Sequence, residues 1–176
     1  MTVRKFENFT PRIAATAYVD ETALVIGDVS IADDVSLWPQ VVVRGDVNSI
    51  VIGARTNIQD GSVLHVSHDS EFAPGGFALR IGADITVGHR AILHGCTVED
   101  RCLIGMAATV MDGAIVRSGA IVGAGSLVLD AQDGRRTQRA GTLRSGYRGD
   151  DTGAQAARRA GRPGGPLYLG DHHHRL

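Results

Sequence analysis

Residues 98–128 read VEDRCLIGMAATVMDGAIVRSGAIVGAGSLV, and every sixth position (Val98, Ile104, Val110, Val116, Val122 and Val128) is a β-branched aliphatic. Working back from Val98, one step shortens to five, to Leu93, and the period of six resumes through Val87 to Ile81. Upstream of a gap stand Leu64, Ile58 and Ile52, and upstream of a second gap Val43, Leu37, Ile31, Val25 and Val19. The chain thus carries seventeen rungs with no polar residue in the leading position. Four residues after most leaders comes something small or β-branched, as at Ala23, Val29, Thr56, Ser62, Ala91, Ala108 and Ala120. On an α-helix, residues six apart point about 240° away from one another and share no face. Short extended segments broken by a tight turn every six residues instead imply a parallel β-helix, with its strands stacked coil on coil around a narrow aliphatic interior.

The composition agrees. The 176 residues suffice for one domain. Glycine is abundant at 23 residues, aromatics make up 5%, and Lys5 is the lone lysine. Eighteen basic against nineteen acidic side chains leave a net charge of −1, which gives no footprint for a nucleic-acid partner. No segment approaches the ~20 apolar residues of a membrane span, and the N-terminus has no apolar stretch of signal-peptide length, so a cytoplasmic protein is expected. The two cysteines, Cys96 and Cys102, are expected as small buried thiols.

The repeat resembles that of the hexapeptide-repeat proteins, which implies an all-β fold, a left-handed parallel β-helix of triangular section with three hexads to the coil. Seventeen rungs then make about six coils over residues 1–129. Two interruptions stand out: three extra residues between Val43 and Ile52, and eleven between Leu64 and Ile81. Insertions in a solenoid become loops, and loops beside a rigid scaffold are where chemistry tends to sit.

With three rungs per coil, His65 and His94, each directly after a leader (Leu64 and Leu93), stack on the same face of adjacent coils. Alternation points both outward, about 4.8 Å apart, a spacing that suits two imidazoles sharing one ion. His89 belongs to a neighbouring face and cannot join them within its own chain. A three-fold trimer, in which one face of each chain meets a different face of the next, would bring it there. The expected site is therefore His65 and His94 of one chain with His89 of its neighbour, the fourth position being left to water. His68, at the mouth of the long insertion, has no partner column and reads as a pocket or loop residue. Arg44 shares the column of His65, and Asp60 that of His89, so Arg44 and Asp60 are expected to meet across the same interface.

Val-Val-Val-Arg-Gly-Asp at 41–46, Asn-Ile-Gln-Asp-Gly-Ser-Val-Leu-His at 57–65 and Val-Gly-His-Arg-Ala-Ile-Leu-His-Gly at 87–95 resemble the γ-class carbonic anhydrases and their bacterial relatives. The resemblance implies a homotrimer with zinc, or iron or cobalt, held by His65, His89 and His94, and reversible hydration of carbon dioxide to bicarbonate. It implies further that Gln59 orients water or substrate, that Asn57 lies nearby, and that Arg44, Asp46 and Asp60 support the interface. Val47 stands where the best-known archaeal members carry a second carboxylate, and His68, Asp69 and Glu71 take the place of their shuttle glutamate. Either His68 with those carboxylates serves as the relay, or turnover is slow. Two other readings use the same solenoid: an acyl-coenzyme A transferase or thioesterase with a histidine general base, and a non-catalytic assembly subunit stabilised by its metal.

After Leu129 the character changes. Residues 130–176 hold nine Gly and nine Arg but no Val, Ile or Phe. They form an atypical C-terminal tail, expected to be flexible, without the amphipathic helix pattern of the family. They read as out of frame or otherwise unusual, leaving the last coil without a normal cap.

Overall fold

The computed structural model describes residues 2–130, so the tail beyond Asp130 lies outside the described residues. Those residues form seventeen short strands, paired in parallel, and no helix. The strands stack into three faces of a left-handed parallel β-helix. The first face carries Thr2–Arg4, the leading halves of Leu24–Ile31 and Val42–Ile52, then Val63–His65, Ile92–His94, Thr109–Val110 and Leu127–Val128. The second carries Arg12–Ile13, the trailing halves of those same two long strands, Leu79–Ile81, Thr97–Val98 and Ile115–Val116. The third is a separate six-stranded sheet running from Tyr18–Val19 to Ile121–Val122.

The leaders pair with one another in register, as in Val43 with Leu64, Leu64 with Leu93, and Leu93 with Val110. All are buried except Val19 and Val128, which are partly buried and pack against the same core. The small residues four places later fill the corners; buried Thr56 and Ser62 donate to the carbonyls of Gly82 (2.9 Å) and Gly88 (3.1 Å), so neither hydroxyl is orphaned. Three places after a leader the backbone turns through the left-handed region, at Asp34, Gln40, Arg55, Asp84, Arg90, Arg101 and Ala107 among non-glycine residues.

The solenoid makes about seven turns rather than six. The period reaches back one further step, to Ile13, and then to Val3, which pairs with Val25. A turn closed by mutual backbone bonds between Phe6 and Phe9 separates the two and hides them from a six-residue scan.

Both interruptions are absorbed beside the first face. The short one is a bulge: pairing slips between Gly27 and Val29, so that residues 46–49 swing outward. The long one folds back on itself, with Ser67 bridged to Phe77 and Ser70 to Ala73. The Asn48 side-chain amide, from the bulge, donates to the carbonyls of Ser67 (3.2 Å) and Gly75 (3.1 Å) and ties the two insertions together. Among the described residues there is no helix long and apolar enough to cross a membrane.

Candidate metal centre

Two stacked rungs of the first face put His65 beside His94 in register. The rings lie edge to face with centroids 4.9 Å apart, and Nδ1 of His65 is 2.9 Å from Nε2 of His94. The outer nitrogen of each ring meets a carboxylate. Nε2 of His65 lies 2.9 Å from Oδ1 of Asp46, which the bulge carries to this spot, and Nδ1 of His94 lies 2.6 Å from Oδ1 of Asp112. Arg44 pairs with the second oxygen of Asp46, and the Ser67 hydroxyl donates to that of Asp112 (2.8 Å). Burial alone would raise the Asp46 carboxyl; the hydrogen bonds from His65 and Arg44 outweigh it and hold the group below its ordinary value.

Ionised carboxylates only accept. Nδ1 of His94 therefore donates to Asp112 and its Nε2 keeps a lone pair toward His65. With a carboxylate against the outer nitrogen of each ring, the two inner nitrogens face one another, and His65 and His94 are the residues that would hold a cation here. The donor set fits a divalent metal that accepts imidazole nitrogen, and the flanking carboxylates are the outer partners that orient such ligands.

His89 stands apart. It follows the third-face strand Thr86–Val87 and is half exposed, with Nδ1 held 3.0 Å from Oδ2 of Asp60. Among the described residues no three His, Cys, Asp or Glu side chains of one chain are grouped to hold a metal. Asn57 and Gln59 lie on the third face with His89. Oδ1 of Asn57 is buried without a partner, the one such side-chain atom among the described residues, and an orphan of this kind costs on the order of 1–3 kcal/mol. Arg44 and Asp60 thus have partners within the chain, Asp46 and His89 respectively. His68 is exposed at the base of the long insertion.

Among known proteins, the chain is 53% identical over 110 residues to Protein YrdA of Escherichia coli K12, covering 62% of this chain and 60% of that one. Over 118 residues it is 47% identical to Gamma carbonic anhydrase 1, mitochondrial, of Arabidopsis thaliana, covering 67% and 42%. A solved Bacillus cereus structure, named as a candidate acetyltransferase, matches with a TM-score of 0.58 at 31% identity over 73% of this chain and 74% of that one. The chain belongs to the γ-carbonic anhydrase-like hexapeptide-repeat family. No family model matches it, and it spans about 60% of the length of its YrdA relative.

For a γ-carbonic anhydrase-like chain the additions to the expected site are Asp112 and Ser67. Hexad arithmetic pairs equivalent positions of neighbouring coils, which finds His65 with His94 and Asp60 with His89. Asp112 instead reaches back diagonally, from two places after its leader Val110 to one place after Leu93. Its only trace in the sequence is the glycine that leaves it room, Gly95.

Proposed function

We propose that the protein is a zinc-dependent γ-carbonic anhydrase-like homotrimer that hydrates carbon dioxide reversibly, with His65 and His94 of one chain and His89 of the next as the metal ligands. One observation carries the reading. Each of the three histidines has one ring nitrogen against a carboxylate, Asp46, Asp112 or Asp60, which is how proteins fix the tautomer and direction of metal-ligating imidazoles. Iron or cobalt suits the same donors.

Support for the trimer comes from the outer surface of the first face. Leu24, Val42, Val63 and Ile92 align there in register, with Leu127 two rungs on. Val63, Ile92 and Leu127 are 38%, 41% and 55% exposed in the single chain, an apolar column interrupted at Thr109 and of the sort that marks an interface. A three-fold arrangement that covers it with the third face of a neighbour would carry His89 to the histidine pair. It would also give the orphaned Asn57 oxygen and Gln59 a place beside the site, and Arg44 a route to Asp60 of the next chain.

A bound cation would supply Lewis-acid activation of water at neutral pH. The chain's own share is positional: Asp46, anchored by Arg44, holds His65, Asp60 holds His89, and Gln59 and Asn57 orient water and substrate. His68, exposed at the mouth of the insertion, carries the proton to buffer. The location is cytoplasmic.

The test is stopped-flow hydration of carbon dioxide on anaerobically purified protein, with metal content measured on the same sample. Metal near one per chain with rapid hydration is the expected result; metal without hydration refutes the assigned reaction. The name of the Bacillus cereus neighbour favours a second reading, acyl transfer with a histidine base, and in that case acetyl-coenzyme A would be consumed without added metal. The third, a non-catalytic subunit held together by its metal, predicts metal-dependent assembly with neither activity.

A further inference from the structure

The geometry points to Asp112, clamped by Ser67, as a positioning residue that sets the tautomer of His94 and with it the metal affinity of the site. The inference rests on the metal reading above and deepens it.

Three features support it. First, Asp112 uses both oxygens: Oδ1 takes the His94 Nδ1 proton at 2.6 Å, and Oδ2 takes the Ser67 hydroxyl proton at 2.8 Å. A carboxylate gripped at both oxygens is fixed in rotation as well as in position. Second, the space it occupies is made for it. A Cβ on Gly95 would lie 2.2 Å from Oδ1 of Asp112 and 2.6 Å from Cβ of Phe77, so any side chain at 95 would drive that oxygen off the imidazole. The residue beside the ligand is glycine, at φ +51°. Third, Ser67 is itself held. Its carbonyl accepts from the Asn48 side chain, and its backbone is bridged to Phe77. The long insertion therefore fixes the serine, the serine the carboxylate, and the carboxylate the ligand ring.

The consequence follows from tautomer chemistry. Unrestrained neutral histidine divides its proton between the two ring nitrogens. Donation of Nδ1–H to Asp112 keeps it there and leaves Nε2, the nitrogen facing His65, free to bind. Outer-shell partners of metal-bound imidazoles typically change affinity by about 10–100-fold, and Asp112→Ala is expected in that range. Asp112→Asn, which keeps an acceptor but loses the charge, and Ser67→Ala, which frees the carboxylate to rotate, should each lose less.

The experiment pairs two measurements on the full chain: cobalt(II) affinity by competition with a chelator, and the His94 ring tautomer by nitrogen-15 NMR of the metal-free protein. Wild type should show the Nδ1–H form at His94, and Asp112→Ala a mixture containing Nε2–H, with affinity falling in the order given. Asp84→Ala, which removes a carboxylate from the distant Arg55 ion pair, should change neither. An unchanged His94 tautomer in Asp112→Ala, or unchanged affinity across the series, overturns the assignment. Should Asp112→Ala fail to fold, Asp112→Asn and Ser67→Ala decide it. If wild type binds no cobalt, the metal reading fails, and the tautomer measurement still decides the role of Asp112.

Discussion

Cys96 sits in the core next to the centre, and burial pushes its thiol up to about 12 from an ordinary value near 9. The raised value gives a pH signature. Below about pH 9 the thiol is neutral in folded and unfolded chains alike, and its contribution to stability is present in full. Between about 9 and 12 the unfolded chain ionises while the folded one does not, so stability falls as pH rises. In urea titrations the stability advantage of wild type over Cys96→Ala should therefore shrink above pH 9 and stay constant below it; a gap that widens would contradict the burial argument. Both cysteines are free and buried, as their scarcity in the sequence suggested. His65 and His94 were legible as a pair because each follows an aliphatic leader by one place. Asp112 was not legible, because its contact runs diagonally between coils and depends on the empty space at Gly95 rather than on a shared column.

The element that repeats is the strand with its corner, and the corner decides which substitutions it tolerates. Ala107 turns through φ +55° with its side chain exposed, a conformation that costs an L-residue about 1–2 kcal/mol. Glycine there loses about 0.5–1 kcal/mol in chain entropy but removes that strain. Ala107→Gly should accordingly be neutral to stabilising by up to ~1 kcal/mol, opposite in sign to the usual effect of the change. Gly53 is the contrary case: a Cβ would lie 2.5 Å from the Gly82 carbonyl carbon and 2.8 Å from the Ala83 nitrogen, both backbone of the next coil. Gly53→Ala should cost about 1–3 kcal/mol by forcing the coils apart. Thermal melts of both variants check the pair, and a destabilised Ala107→Gly with an unaffected Gly53→Ala would refute this account of the corners. The sequence shows that a corner recurs every six residues. It does not show which residue turns left-handed, since aspartate, arginine, glutamine and alanine all fill that place. The N-terminal turn escaped for a related reason: the Phe6 to Phe9 turn breaks the period between Val3 and Ile13.

At the scale of the whole molecule, one chain supplies two facing imidazoles and an apolar column, while the third imidazole stands on another face. The face assignments were legible because a strict period of six fixes which rungs share a side. The column shared by Asp60 and His89 was legible for the same reason; the pairing of Arg44 with Asp46 was not, because partners within a chain and across an interface compete for the same charges. The proposed arrangement requires a heterologous contact in which each site draws on two chains, and that requirement can be isolated by mixing. His89→Ala keeps the histidine pair and lacks the third ligand; His65→Ala keeps the third ligand and lacks the pair. Alone, each should bind no metal tightly. Unfolded together in equal amounts and refolded, they should form mixed trimers in which one interface unites an intact pair with an intact His89, restoring about one site in four. Zinc content of the separated and the co-refolded proteins is the measurement. Recovery of tight zinc near that fraction only in the mixture is the predicted result, and full zinc occupancy in His89→Ala alone, or no recovery in mixed trimers, would contradict a site shared between chains.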